Sequence, residues 1–174
     1  YCDENLKEHW AKKINKKNFN IGIVWGSKNV YEYDRNIPIK YFSKLLNIDK
    51  VRLISLHTKS HNDSVLKKAG LSNKILYFNE IREGVGFGDT AAIIANLDLI
   101  ISIDTSVAHL SAAMGKKTWI LLTYNHDWRW QLKSKKTFWY GNVQLFRSKK
   151  ENNWQKIFDS IFNKVNNIIG KNEY

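Results

Sequence analysis

Asp104, Thr105, Ser106 and His109 are the residues whose types and spacing could do chemistry together. They lie in the run Asp98-Leu99-Ile100-Ile101-Ser102-Ile103-Asp104-Thr105-Ser106-Val107-Ala108-His109, where an apolar strand stops at Asp-Thr-Ser and a helix begins. A helix N-terminus exposes unpaired amides and a partial positive charge, so it holds anions such as phosphate. Thr105 and His109, four apart, share a helix face, whereas Val107, Leu110 and Met114 mark a different, buried one. Helical side chains lean toward the N-terminus, which would carry His109 back over Thr105 to donate a hydrogen bond or proton to a phosphate oxygen. Asp104 repels a phosphate, and its expected work is to cap the helix or orient the loop. An ordinary helix start with a structural histidine fits the same residues, and both readings stay open at this level.

Such a junction needs strands that alternate with helices, and the chain supplies them. Leu6, Trp10 and Ile14 predict a lead-in helix, and residues 20–25 a buried strand that ends at Gly26-Ser27. Pro38 suits a first helical turn ahead of Phe42, Leu45 and Leu46. Further strands are expected at 51–56, 75–78, 99–103, 119–122 and 143–146, with a helix near 64–69. Asp89 reads as the N-cap of a helix over 90–97, and Gly115 as the cap that closes the helix over 105–114. Trp154, Ile157, Phe158, Ile161, Phe162, Val165, Ile168 and Ile169 share one face of a final helix. The expected fold is α/β: a Rossmann-like parallel sheet of about six strands with helices on both faces. Ligands of open α/β sheets bind outside the carboxyl ends of the strands, where residues 104–109 fall.

Composition narrows the classes. Hydrophobic residues make up 43%, enough for a core, and Cys2 alone cannot form an internal disulfide, which fits a reducing, cytoplasmic setting. No metal cluster and no membrane-spanning run is evident. Met114 is the only methionine, so the reading is of one domain, residues 1–174, cut from a longer protein. The net charge of +12 invites an anionic ligand, the inner leaflet of a membrane, or nucleic acid. The lysines are scattered and Lys, Asn and Ile are all abundant, so solvated surface is preferred and no specific nucleic acid is expected.

The run from Asp104 to Leu110, followed by residues 112–119, resembles the donor-binding signature of heptosyltransferase-like glycosyltransferases. It is most similar to the glycosyltransferase family 9-like domains that follow tetratricopeptide repeats in bacterial proteins. The likeness extends through residues 22–26, 34–38, 54–56, 89–92, 127–130, 139–140 and 145–147. It implies a GT-B enzyme, two Rossmann-like lobes across a cleft, with this chain as the C-terminal lobe that holds a nucleotide-sugar donor without metal or cofactor. Asp104, Thr105, Ser106 and His109 would then contact the donor pyrophosphate. Gly26, Ser27 and Arg35 would face the phosphates, Arg35 through a bidentate guanidinium or else in a salt bridge to Asp34 or Glu32. His57 falls near the nucleoside position, though the match there is poor. Residues 84–88 are richer in glycine than the family pattern and read as a mobile loop or an ordinary turn. Asp127 and Arg129, between Trp128 and Trp130, are candidate sugar contacts, with one tryptophan expected to anchor the loop. The catalytic base would come from the missing N-terminal lobe, so none is assigned here. A catalytically silent scaffold module with the same fold is the alternative.

Overall fold

The computed structural model describes residues 2–27, 35–81, 86–149 and 153–171. Its strands β1 (Phe19–Val24), β2 (Val51–Ser55), β3 (Leu99–Ile103), β4 (Thr118–Leu122) and β5 (Val143–Arg147) form one sheet in the order β2-β1-β3-β4-β5. Every pairing is parallel. The helices are α1 (Glu4–Ala11), α2 (Lys59–Lys68), α3 (Gly88–Ala95), α4 (Ser106–Ala113) and α5 (Gln155–Lys171), with 3-10 helices at Ile39–Asn47 and Trp128–Trp130. This is the α/β Rossmann-like architecture expected from the alternation of elements.

Parallel strands covered on both faces read as unbroken apolar runs, and β1, β3 and β4 are buried at every position. Alternation along β4 divides the core. Ile120 and Leu122 join Ala108 and Ala112 of α4, while Trp119 and Leu121 join Phe158, Ile161 and Val165 of α5. Helices therefore cover opposite faces of the sheet. Gly22 pairs in register with Ile54 and Ile100, and a Cβ there would lie 2.6 Å from Leu97 Cδ1. Its missing side chain lets the segment after α3 close onto the sheet.

Three local expectations change. The strand over 75–78 contracts to one parallel bridge between Ile54 and Leu76, because Phe78 turns inward against the ring of Trp10, 4.7 Å away. Asp89 does not cap α3. The cap position is Phe87, and the Asp89 carboxylate accepts the indole N–H of Trp10 at 2.9 Å, tying α1 to α3. Pro38 precedes a 3-10 rather than an α-helix. Gly115 closes α4 as anticipated, at φ +77, with Lys116 N donating to Ser111 O and Gly115 N to Ala112 O, both at 3.0 Å. Of the glycine-rich stretch, residues 84 and 85 lie outside the described residues. Among the described residues no helix is long and apolar enough to cross a membrane.

Candidate functional site

In the order β2-β1-β3-β4-β5 the chain leaves β1 toward β2 on one side and later returns to build β3 on the other. Such a reversal opens a crevice at the carboxyl ends of the two diverging strands, the usual ligand position in open α/β sheets. Gly26 and Ser27 stand just past β1, and Asp104 and Thr105 just past β3. Arg35 spans the crevice. Its Nη1 donates to Asp104 O at 2.8 Å and lies 3.6 Å from Asp104 Oδ2, with both side chains largely buried. Asp34 and Glu32, the competing partners for Arg35, lie outside the described residues.

Thr105, not Asp104, is the N-cap of α4, and it makes no side-chain capping bond. Its hydroxyl is shared with Ser102 Oγ at 3.1 Å and with Ile103 O at 3.4 Å. The amides of the first turn are thus left without their own cap side chain, beside exposed Ser106. One turn further, His109 Nε2 lies 3.6 Å from Asp104 Oδ1, and Nδ1 meets Tyr140 Oη at 3.0 Å. The imidazole stacks on Trp130 with centroids 5.1 Å apart, and 32% of the side chain stays exposed. It sits at the rim of the site, neither free in solvent nor locked in the core.

Asp104 is the electrostatic centre of this arrangement. Burial opposes its ionisation, but His109, the nearby Trp130 indole and Arg35 outweigh burial and hold the carboxyl below its ordinary range. Trp130 Nε1 favours the charged carboxylate by proximity, since it falls outside hydrogen-bond geometry with any described residue. Asp104 therefore faces the Arg35 guanidinium and the His109 imidazole rather than capping the helix.

Asp127 and Arg129 come to the same neighbourhood but mainly serve each other. Asp127 caps the second 3-10 helix, accepting Arg129 N and Nε at 2.9 Å each and Nη2 at 3.0 Å. Arg129 is the main reason the Asp127 carboxyl lies below its ordinary range, and the charge of Arg35 adds to it despite partial burial. Trp130 is fully buried and Trp128 is 81% exposed, so one tryptophan anchors the loop as expected. Arg147 fastens the loop from β5 by donating to the carbonyls of Trp130, Gln131 and Ser134.

At the end of β1, Ser27 N donates to Asn36 Oδ1 at 2.8 Å, and a Cβ on Gly26 would approach that same oxygen to 3.1 Å. His57 is turned inward, unlike the nucleoside contact suggested by its position. Its Nε2 accepts Trp25 N at 3.1 Å, and its ring stacks on His61 with centroids 4.0 Å apart. Burial, then the charge of His61, holds His57 well below the ordinary histidine range. Trp25 Nε1, Ser27 Oγ, His61 Nε2 and Trp130 Nε1 are buried without a hydrogen-bond partner among the described residues. Unpaired buried polar atoms cost about 1–3 kcal/mol each, and a polar ligand at this edge could relieve such a cost. Tyr140, Asn36 and Arg147 were not singled out as site residues. All three occur only within the stretches that carry the family likeness, Asn36 in 34–38, Tyr140 in 139–140 and Arg147 in 145–147.

The site thus offers helix amides, a guanidinium and an imidazole around one crevice, a donor set suited to a diphosphate. Among the described residues no cluster of His, Cys, Asp and Glu could hold a metal ion. Two solved structures share the fold. A glycosyl transferase family 9 protein from Veillonella parvula DSM 2008 superposes with a TM-score of 0.64 at 11% identity, covering 92% of this chain and 44% of its own. The E. coli ADP-heptose LPS heptosyltransferase II gives a TM-score of 0.69 at 10% identity, over 100% of this chain and 54% of its own. The chain therefore spans about half the length of these solved relatives. No curated protein matches it. The family model of glycosyltransferase family 9 (heptosyltransferase) matches residues 38–158, from just before the first 3-10 helix through β3, α4 and β5 into α5. With most of the chain matched, including the junction that carries Asp104 and His109, this protein belongs to glycosyltransferase family 9.

Proposed function

We propose that residues 1–174 form a single nucleotide-sugar-binding domain, the C-terminal donor lobe of a GT-B glycosyltransferase that transfers a sugar to a glycan, lipid or protein acceptor. The observation that carries this reading is the convergence of Arg35 and His109 on Asp104 beside the start of α4, at the switch between β1 and β3. Family membership supports it. In this reading the protein is bacterial and cytoplasmic, works at the inner membrane face, and continues upstream into a second lobe and tetratricopeptide repeats.

When the sugar leaves, negative charge grows on the diphosphate. The α4 amides, Arg35 and His109 are held in place before the reaction and stabilise that charge without reorganising; one such donor is worth about 3–4 kcal/mol in comparable sites. Gly26 and Ser27 approach the phosphates from the β1 side, and Asp127 and Arg129 border the sugar. Deprotonating the acceptor hydroxyl falls to the other lobe, so the isolated chain binds nucleotide and turns over little or nothing. Calorimetric titration with UDP, GDP and ADP tests this. At least one is expected to bind with one-to-one stoichiometry. Absence of binding by all three at millimolar concentration, with the chain folded, would refute the proposal.

A further inference from the structure

The segment between β4 and β5 carries a concentration of exposed apolar surface. Tyr124 is 60% exposed, Trp128 81%, Leu132 81%, Phe138 92% and Trp139 61%. Only Phe87 joins them as an exposed large hydrophobic residue among the described residues. Single exposed apolar residues are ordinary, but five in one segment, most of them aromatic, mark a surface that meets something. The segment is also fixed in place. Leu145 N donates to Lys135 O at 2.9 Å along the outer side of β5, Arg147 holds the carbonyls of Trp130, Gln131 and Ser134, and Tyr140 is tied to His109.

Charge identifies the occupant. From Trp128 to Lys150 the sequence holds seven Lys and Arg and no Asp or Glu. Arg129 is engaged with Asp127 and Arg147 with the loop carbonyls, so among the described residues Lys133, Lys135, Lys136 and Lys149 are the exposed cations of this stretch. Protein interfaces favour aromatic residues but are depleted of lysine. Trp, Phe and Leu alongside Lys are instead the pairing that settles at the boundary between lipid headgroups and acyl chains. We infer that residues 124–140 dock this lobe on an anionic lipid surface, inserting Trp128, Leu132, Phe138 and Trp139 among the headgroups while Lys133, Lys135 and Lys136 pair with lipid phosphates. Because Tyr140 holds His109, the docked face adjoins the donor crevice. Docking itself does not depend on the donor reading and needs no nucleotide.

Co-sedimentation of the chain with vesicles of phosphatidylcholine, with and without phosphatidylglycerol, tests the inference in the absence of nucleotide. Binding is expected only with phosphatidylglycerol present and weakens as salt rises. Each lysine at such a surface is worth about fivefold, so the triple variant K133Q/K135Q/K136Q should bind on the order of a hundredfold more weakly. The control K12Q/K16Q/K17Q removes the same charge from exposed positions elsewhere and should change binding severalfold at most. The variant W128S/F138S/W139S, altered only at exposed side chains, should fold with an unchanged circular dichroism spectrum and lose at least tenfold in vesicle affinity. The inference is overturned by no binding to anionic vesicles, by equal losses in the two lysine variants, or by unchanged binding of the aromatic variant, which would assign the patch to the other lobe. Tighter binding to poly(U) than to vesicles at the same salt would also overturn it.

Discussion

Asp104 holds the Arg35 guanidinium and the His109 imidazole at once, and the chemistry of the site depends on what that does to them. His109 meets Asp104 through Nε2 and Tyr140 through Nδ1, so the ring is held from both edges while its face rests on Trp130. A histidine held this way can face a phosphate with little ordering cost. His109→Ala should therefore weaken nucleoside diphosphate binding by at least tenfold in calorimetry, while the parent nucleoside, which lacks phosphate, is unaffected. Unchanged diphosphate affinity would instead favour a silent module. Tyr140→Phe removes one hydrogen bond, worth about 0.5–1.5 kcal/mol, and should weaken the same ligand by a few-fold only. His57 gives a pH prediction. Its folded-state pKa lies below the ordinary 6.5, so the folded chain binds fewer protons than the unfolded chain in the window beneath that value. The stabilisation is fully present above pH 6.5 and is lost as pH falls toward the depressed value. His61, also depressed by burial, adds to the same slope. Urea melts between neutral pH and pH 5 should show stability falling with acid. His57→Gln keeps an acceptor for Trp25 N and should flatten that slope; an unchanged slope would remove His57 from the account.

Elements whose signals are local were legible from the chain, and those that depend on distant partners were not. The β3–α4 junction announces itself through an apolar run that breaks at Asp-Thr-Ser, and α4 ends where Gly115 supplies a positive φ. The amphipathic stripe of α5 places Phe158, Ile161 and Val165 inward as its period requires. The run at 75–78 has strand composition, yet only Leu76 pairs, because Phe78 is drawn to Trp10 far away in sequence. Asp89 looked like a cap for the same reason that it is not one: a short carboxylate early in a helix suits an N–H donor, and Trp10 supplies it. Within the site, Asp104, Thr105 and His109 were legible by spacing. Tyr140 was not, since it reaches His109 across 31 residues. Gly22→Ala tests the packing of the segment after α3 on the sheet. A Cβ 2.6 Å from Leu97 Cδ1 and 2.8 Å from Ile100 Cδ1 forces the core apart, at a cost of about 1–3 kcal/mol in urea denaturation. A cost near zero would mean that the segment after α3 seats loosely.

Taken as one object, the chain spans about half the length of its solved relatives and is a parallel sheet wrapped in helices with a strongly basic composition. The net charge of +12 does not say where on the surface the cations gather; the fold sets exposed lysines and aromatics together between β4 and β5 and turns Arg35 inward to Asp104. The order β2-β1-β3-β4-β5 puts the reversal between β1 and β3, and everything proposed for the donor follows from that crevice. An amide-resolved NMR titration of the folded chain with UDP, GDP and ADP examines it most directly. The account predicts saturable shifts for the amides of Thr105, Ser106 and Val107, with Gly26 and Ser27 moving in the same titration and the His109 ring following. Shifts confined to other edges of the sheet, or none at saturating nucleotide, would contradict it.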